Sequence, residues 1–153
     1  MRRSQNEIVD INEIETIIQQ CDVVHIGMSQ ENVPYVIPMN YGYSNRTFYF
    51  HGAKEGRKID IIKVNPKVCF QLDTDHRLIT SEDRACDWTM KYASVIGYGV
   101  IKVVEDLEEK VTALDLLMQH YGGEDHYTYG DKMLERICIL KLEIDGMTGK
   151  RSN

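Results

Sequence analysis

Residues 46–66, Arg46-Thr-Phe-Tyr-Phe-His-Gly-Ala-Lys-Glu-Gly-Arg-Lys-Ile-Asp-Ile-Ile-Lys-Val-Asn-Pro66, restrict the chain more than any other stretch. Thr47 to His51 is aromatic and β-branched, the composition of a strand. Gly52 and Ala53 let the backbone turn without a bulky side chain. Lys54 to Val64 reads as a short helix with Ile59, Ile62 and the stem of Lys63 on one side, and Pro66 stops it. A strand therefore leads through a small-residue turn into a helix that opens with Lys54, Arg57 and Lys58. Free N–H groups and the positive end of a helix dipole favour an anion there, and the cations can close around a phosphate. The alternative is a solvated cationic face, and this stretch alone leaves both open. Two phosphate motifs are excluded. Gly52…Gly56-Arg57-Lys58 lacks the spacing and the Ser or Thr of a P-loop. Gly97 and Gly99 lack the third glycine and following helix of a dinucleotide fingerprint.

The 153 residues suffice for a single domain spanning 1–153 with its own core. A net charge of −6 and a pI near 5.3 argue against a general nucleic-acid binder and set off the local cations at 54–58. No apolar run reaches membrane-spanning length, so no membrane partner is expected. The start, Met1-Arg-Arg-Ser-Gln-Asn-Glu, carries no apolar segment of a signal peptide, and the expected location is cytoplasmic. Cys21, Cys69, Cys86 and Cys138 show no Cys-x-x-Cys or zinc spacing, and no metal site is expected. Most should be buried small hydrophobes, with Cys86 in a polar loop as the exception.

Residues 10–21 form a helix capped by Asp10 or Asn12, with Ile11, Ile14, Ile17 and Ile18 on its apolar face. Val23 to Met28 and Val33 to Tyr43 are paired strands about a turn at Gln30-Glu-Asn. Pro34 and Pro38 in the second mark an edge, a bulge or a ligand, because proline cannot donate to a ladder. Lys67 to Asp73 alternates cleanly, with Val68, Phe70 and Leu72 opposing Cys69 and Gln71. Residues 74–87 read as a long polar loop. Met90 to Val104 is a long strand with bends at Gly97 and Gly99. Asp106 caps a helix to His120 whose apolar face carries Val111, Leu114, Leu117 and Met118. Leu134 to Ile144 is the last strand. About six strands joined mostly by hairpins, with three helices between them, favour a closed antiparallel barrel over a doubly wound sheet.

Four ordered segments carry a resemblance: Pro34-Tyr-Val-Ile-Pro-Met-Asn40, Tyr49-Phe-His-Gly-Ala-Lys-Glu-Gly-Arg-Lys-Ile-Asp60, Asn65-Pro-Lys-Val-Cys-Phe70 and Ser94-Val-Ile-Gly-Tyr-Gly99. Together they resemble the pyridoxamine 5′-phosphate oxidase-like flavin-binding split barrels, nearest to the nitroimidazole-resistance branch. The resemblance implies a six-stranded antiparallel split β-barrel of the α+β, mainly β class, with about three peripheral helices. It further implies a homodimer with flavin mononucleotide (FMN) between the subunits; flavin adenine dinucleotide (FAD) stays open. On that pattern Lys58 holds the flavin phosphate with Arg57 beside it. Ile37, Pro38, Met39 and Asn40, with His51, Gly52 and Ala53, line the isoalloxazine and ribityl chain. Ser94 hydrogen-bonds the cofactor from a strand that reaches it partly from the other subunit.

His51 is the candidate catalytic residue, a proton donor beside the flavin, with a purely pocket-shaping role as the alternative. His25 is expected as a core residue, while His76, His120 and His126 are scattered. Trp88 is expected in core or dimer packing. The function implied is a flavin-dependent oxidoreductase, a nitroreductase acting on small planar nitroimidazole-like acceptors, with NAD(P)H as candidate donor. The competing reading is a flavin- or haem-binding protein without fast turnover, with His51 or His25 as a ligand. Pyridoxamine phosphate oxidation is disfavoured, because Met147-Thr-Gly-Lys-Arg-Ser-Asn153 stands where the substrate-phosphate Arg and His residues belong.

Overall fold

The computed structural model describes residues 4–124 and 127–152; His126 lies outside the described residues. The strands are β1 (Glu7–Ile8), β2 (Val24–Gln30), β3 (Val33–Met39), β4 (Gly42–Ser44), β5 (Thr47–Gly52), β6 (Lys67–Ile79), β7 (Thr89–Val104) and β8 (Cys138–Ser152). The helices are α1 (Ile11–Gln20), α2 (Arg57–Val64), α3 (Leu107–His120) and α4 (Asp131–Arg136). All strand pairs are antiparallel, in the order β3-β2-β6-β7-β8-β5-β4, with β1 added to β8. β3 and β4 stand at opposite ends of that order, yet only Asn40 and Tyr41 separate them in the chain. The sheet must therefore roll until its ends approach, which makes it a split barrel.

Local chemistry accounts for most of the elements. The Asp10 carboxylate caps α1 by accepting from Asn12 N–H at 2.9 Å, and Ile14, Ile17 and Ile18 are buried beneath it. Asp106 caps α3 by accepting from Glu109 N–H at 2.8 Å, and Ala113, Leu114 and Leu117 face inward. The β2–β3 and β4–β5 hairpins turn on Glu31-Asn32 and Asn45-Arg46, all four with positive φ, as a two-residue turn matched to strand twist requires. The barrel core centres on fully buried Tyr41, Phe48, Phe50 and Phe70.

Pro34 and Pro38 sit opposite Ser29 and His25 on β2. Proline has no N–H to give, so these are non-hydrogen-bonded pairs, and the backbone of Pro34, Val36 and Pro38 faces the open side of β3. The edge reading of the two prolines holds.

Several expectations need correction. The strand expected over 33–43 breaks at Asn40-Tyr41, where the chain passes from one end of the sheet to the other. Helix α2 begins at Arg57, and Lys54 precedes it in a bend. Residues 74–79 are strand, beyond a register shift between Thr74 and Arg77 where Asp75 takes φ 60°. The connecting loop shrinks accordingly. Leu134 belongs to α4, and β8 runs on through Ser152. Cys86 is exposed as expected, but so is Cys69, on the outward side of β6. His25 is exposed: Val24 and Ile26 take the inward positions, so strand alternation turns His25 out. Trp88 is 52 % exposed in the single chain, which removes core packing and leaves dimer packing, and its indole N–H donates to the Ser81 carbonyl.

Candidate functional site

The turn after β5 is shaped by a cation lying on a glycine. Gly52 pairs with Cys138 of β8, and Lys58, in the first turn of α2, folds back over it. A Cβ on Gly52 would fall 2.7 Å from Lys58 Nζ, so the missing side chain makes room for the ammonium. Cys138 registers that charge: burial pushes its thiol up, and Lys58 is foremost among the cations opposing the shift. Gly56 caps α2 at φ 116°, a value glycine tolerates, and, having no side chain, it offers no cap to the helix's leading N–H groups. An uncapped helix start beside an ammonium fits a phosphate.

The three cations do not converge. The Arg57 guanidinium lies 4.6 Å from the centroid of the Tyr35 ring on β3, a cation–π contact. Lys54 donates to the Glu135 carbonyl at the end of α4. Adjacent residues of α2 thus reach β3, at one end of the strand order, and β5, next to the strand at the other end, and of the three cations Lys58 lies over the turn.

His51, exposed on β5, and Asn40, exposed after β3, open on a chamber of about 350 Å³. Leu114, Leu117 and Met118 of α3 form one wall, and Met133 of α4 with Ile137 forms another. Tyr121 and Tyr129 complete it, but their hydroxyls are spent elsewhere. Tyr121 donates to the Asp22 carbonyl at 2.6 Å and accepts from the Tyr41 N–H at 3.1 Å. Tyr129 donates to the Asp115 carboxylate at 2.9 Å; burial, then that hydrogen bond, pushes its pKa up to about 12. Short α4 is held at its C-terminal end, where buried Lys110 donates to the Leu134 carbonyl at 3.1 Å beside the Lys54 contact.

The structure therefore brings Gly52, Ala53 and Lys58 to one turn, with His51 and Asn40 beside it at the chamber, and directs Arg57 to Tyr35 instead. Ile37 packs against the core and Met39 is buried, so neither presents its side chain outward, whereas Pro38 is exposed. Ser94 is not brought in. It pairs with Lys150, whereas Ile139, the neighbour of His51, pairs with Val104. Ten residues of β7 separate the two places, on the order of 30 Å at about 3.3 Å per residue. Sequence reasoning missed the chamber's α4 wall entirely. Among the described residues, no group of three or more His, Cys, Asp or Glu is placed to hold a metal ion. None of the described helices is long and apolar enough to cross a membrane.

The family model described as pyridoxamine 5′-phosphate oxidase matches residues 10–151. The chain belongs to that family. Within the pyridoxamine 5′-phosphate oxidase family it is similar to a candidate 5-nitroimidazole antibiotic resistance protein from Bacteroides thetaiotaomicron. The two are 38 % identical with a TM-score of 0.84, over 95 % of this chain and 86 % of the other. The flavocytochrome Anf3 from Azotobacter vinelandii shares the fold at TM-score 0.85 and 18 % identity, covering 100 % of this chain and 72 % of its own. A FAD and haem binding protein from Mycobacterium smegmatis does so at 0.85 and 14 %, covering 97 % and 74 %. A curated, uncharacterised relative from Rhizobium meliloti matches at 29 % identity over 66 residues, 42 % of this chain and 42 % of that one. The chain thus spans under half the length of that curated relative.

Proposed function

We propose that the protein is a flavin-binding oxidoreductase, FMN being the cofactor, that passes electrons to a small planar acceptor of the nitroimidazole type. The observation that carries this reading is the Lys58 ammonium lying on Gly52 at the uncapped start of α2. A flavin phosphate there would accept from Lys58 Nζ and from the leading N–H groups of the helix. The flavin supplies the redox chemistry, and the protein positions and tunes it. Its rings would extend along the exposed backbone at Pro38 and Asn40. The His51 imidazole, exposed and lining the chamber, would donate a proton to the acceptor.

A second copy of the chain completes the arrangement. Val36, Gly27, Cys69 and Tyr98 form one cross-strand row on the outward face of β3-β2-β6-β7, and Pro38, His25, Gln71 and Ile96 form the next. Val36 is 61 % exposed, Tyr98 64 % and Ile96 48 %, an apolar face of the kind that protein partners cover. Ser94 lies on the same face of β7, so it would meet the cofactor of the second copy.

The test is the absorbance spectrum of freshly purified protein, with the released cofactor identified by mass. Bands near roughly 375 and 450 nm are expected of an oxidised flavin, from a species sedimenting at twice 17.7 kDa. A Soret band would replace the reading with haem held by His51, and a colourless protein that takes up no added flavin would remove it. A finer check lies at Gly52. Its replacement by Ala displaces only the flexible end of Lys58, so the melting temperature should stay within about 2 °C, the effect of a change of some 0.5 kcal/mol. FMN affinity should nevertheless fall several-fold in a fluorescence titration. Unaltered affinity would mean that the position of Lys58 over this glycine is irrelevant to the cofactor.

A further inference from the structure

The chamber beside His51 differs in chemistry from the phosphate turn next to it. Among the described residues, none that line it is Lys, Arg, Asp or Glu. The two tyrosine hydroxyls are committed to Asp22 and Asp115, so both rings face the space as aromatic surface. Leu114, Leu117 and Ile137 add aliphatic surface, and Met118 and Met133, 37 % and 44 % exposed, add adaptable thioethers. Among the described lining residues, Asn40 and His51 remain to hydrogen-bond a ligand, and both come from the strand side. At about 350 Å³ the space exceeds the ~150 Å³ that holds a benzene ring and lies at the small end of ligand pockets.

We propose that this chamber is the acceptor compartment, taking an uncharged substituted ring with its polar edge on His51 and Asn40, and excluding anionic compounds, pyridoxamine 5′-phosphate among them. A carboxylate or phosphate entering it would lose hydration and find no lysine or arginine in exchange. Met118 and Met133, on facing helices, set the ring size that fits. The proposal rests on the flavin reading for the word acceptor alone, because binding of the ring needs no cofactor.

Calorimetry on the protein as purified, with flavin per chain read by absorbance, separates the two. 4-Nitrobenzyl alcohol should bind at one site per chain, with 4-nitrobenzoate and pyridoxamine 5′-phosphate at least tenfold weaker. Met133→Trp and Met118→Trp each place a large ring at a half-exposed position, where it fills the chamber without crowding the core. Each should weaken the alcohol at least tenfold and leave flavin per chain unaltered. Equal affinity for the alcohol and the benzoate overturns the proposal, and so does full binding in both Trp variants. Loss of flavin together with the alcohol overturns it too, since the chamber would then hold the flavin itself. A colourless protein that binds the alcohol and loses it in the Trp variants sinks the flavin reading and upholds the chamber.

Discussion

A Lys58→Ala variant should bind FMN about ten- to a hundredfold more weakly than the unaltered chain, while its affinity for riboflavin, which has no phosphate, should barely move. A hydrogen bond to a charged group contributes about 1.5–3 kcal/mol, and every 1.4 kcal/mol is a factor of ten. Lys58 is the cation for this test because the other two are engaged: Arg57 over the Tyr35 ring, Lys54 on the Glu135 carbonyl. Quenching of flavin fluorescence on titration gives both affinities, and circular dichroism checks that α2 persists. Parallel losses for FMN and riboflavin would mean that the lysine shapes the turn instead of holding a phosphate. No loss for either would move the phosphate elsewhere.

The largest effect on stability is expected at Phe48. Its ring is fully buried and lies 5.1 Å from Tyr41, 5.0 Å from Tyr43 and 5.0 Å from Phe70 between centroids. These rings come from β4, β5, β6 and the link between β3 and β4, so one side chain joins both ends of the rolled sheet to its middle. Phe→Ala in such a core costs about 3–5 kcal/mol, against a total of roughly 5–15 kcal/mol for a domain. Phe48→Ala should therefore melt some 6–20 °C lower, at about 2–4 °C per kcal/mol for this size. Phe48→Leu, which keeps most of the volume, should recover much of the difference. A melting point for Phe48→Ala within about 2 °C of the original would show that the barrel tolerates a void there, against the usual cost of such cavities.

What the sequence disclosed follows how local each signal is. The strand, turn and helix around Gly52 were legible because aromatic alternation, a small-residue break and an apolar face lie within twenty residues. Helix α3 announced itself through Asp106 and its apolar spacing. Even the outward position of His25 was readable, had the alternation of Val24 and Ile26 been weighed above its apolar company. Helix α4 was not, because six residues are far below the length at which a helix holds on propensity. What fixes it is distant: Lys110 on α3 and Lys54 on the β5–α2 turn reach its last carbonyls. The outer arm of β6 also escaped notice, since residues such as Asp75, His76 and Arg77 are exposed on both faces and leave no period-2 signal. The chamber escaped for a related reason: its walls come from Asn40, His51, two turns of α3 and the far end of α4.

The open side of β3 has a further consequence for how the protein behaves among its own copies. With Pro34 and Pro38 turned outward, that edge presents three carbonyls but a single N–H, from Val36. An incoming strand needs donors and acceptors in alternation to extend a sheet, and here it finds mostly acceptors. Two prolines thus act as gatekeepers against fibril-like stacking on a seven-residue strand that is otherwise rich in valine and isoleucine. The newly made chain can leave this rim bare while it searches for its fold, without seeding cross-β growth.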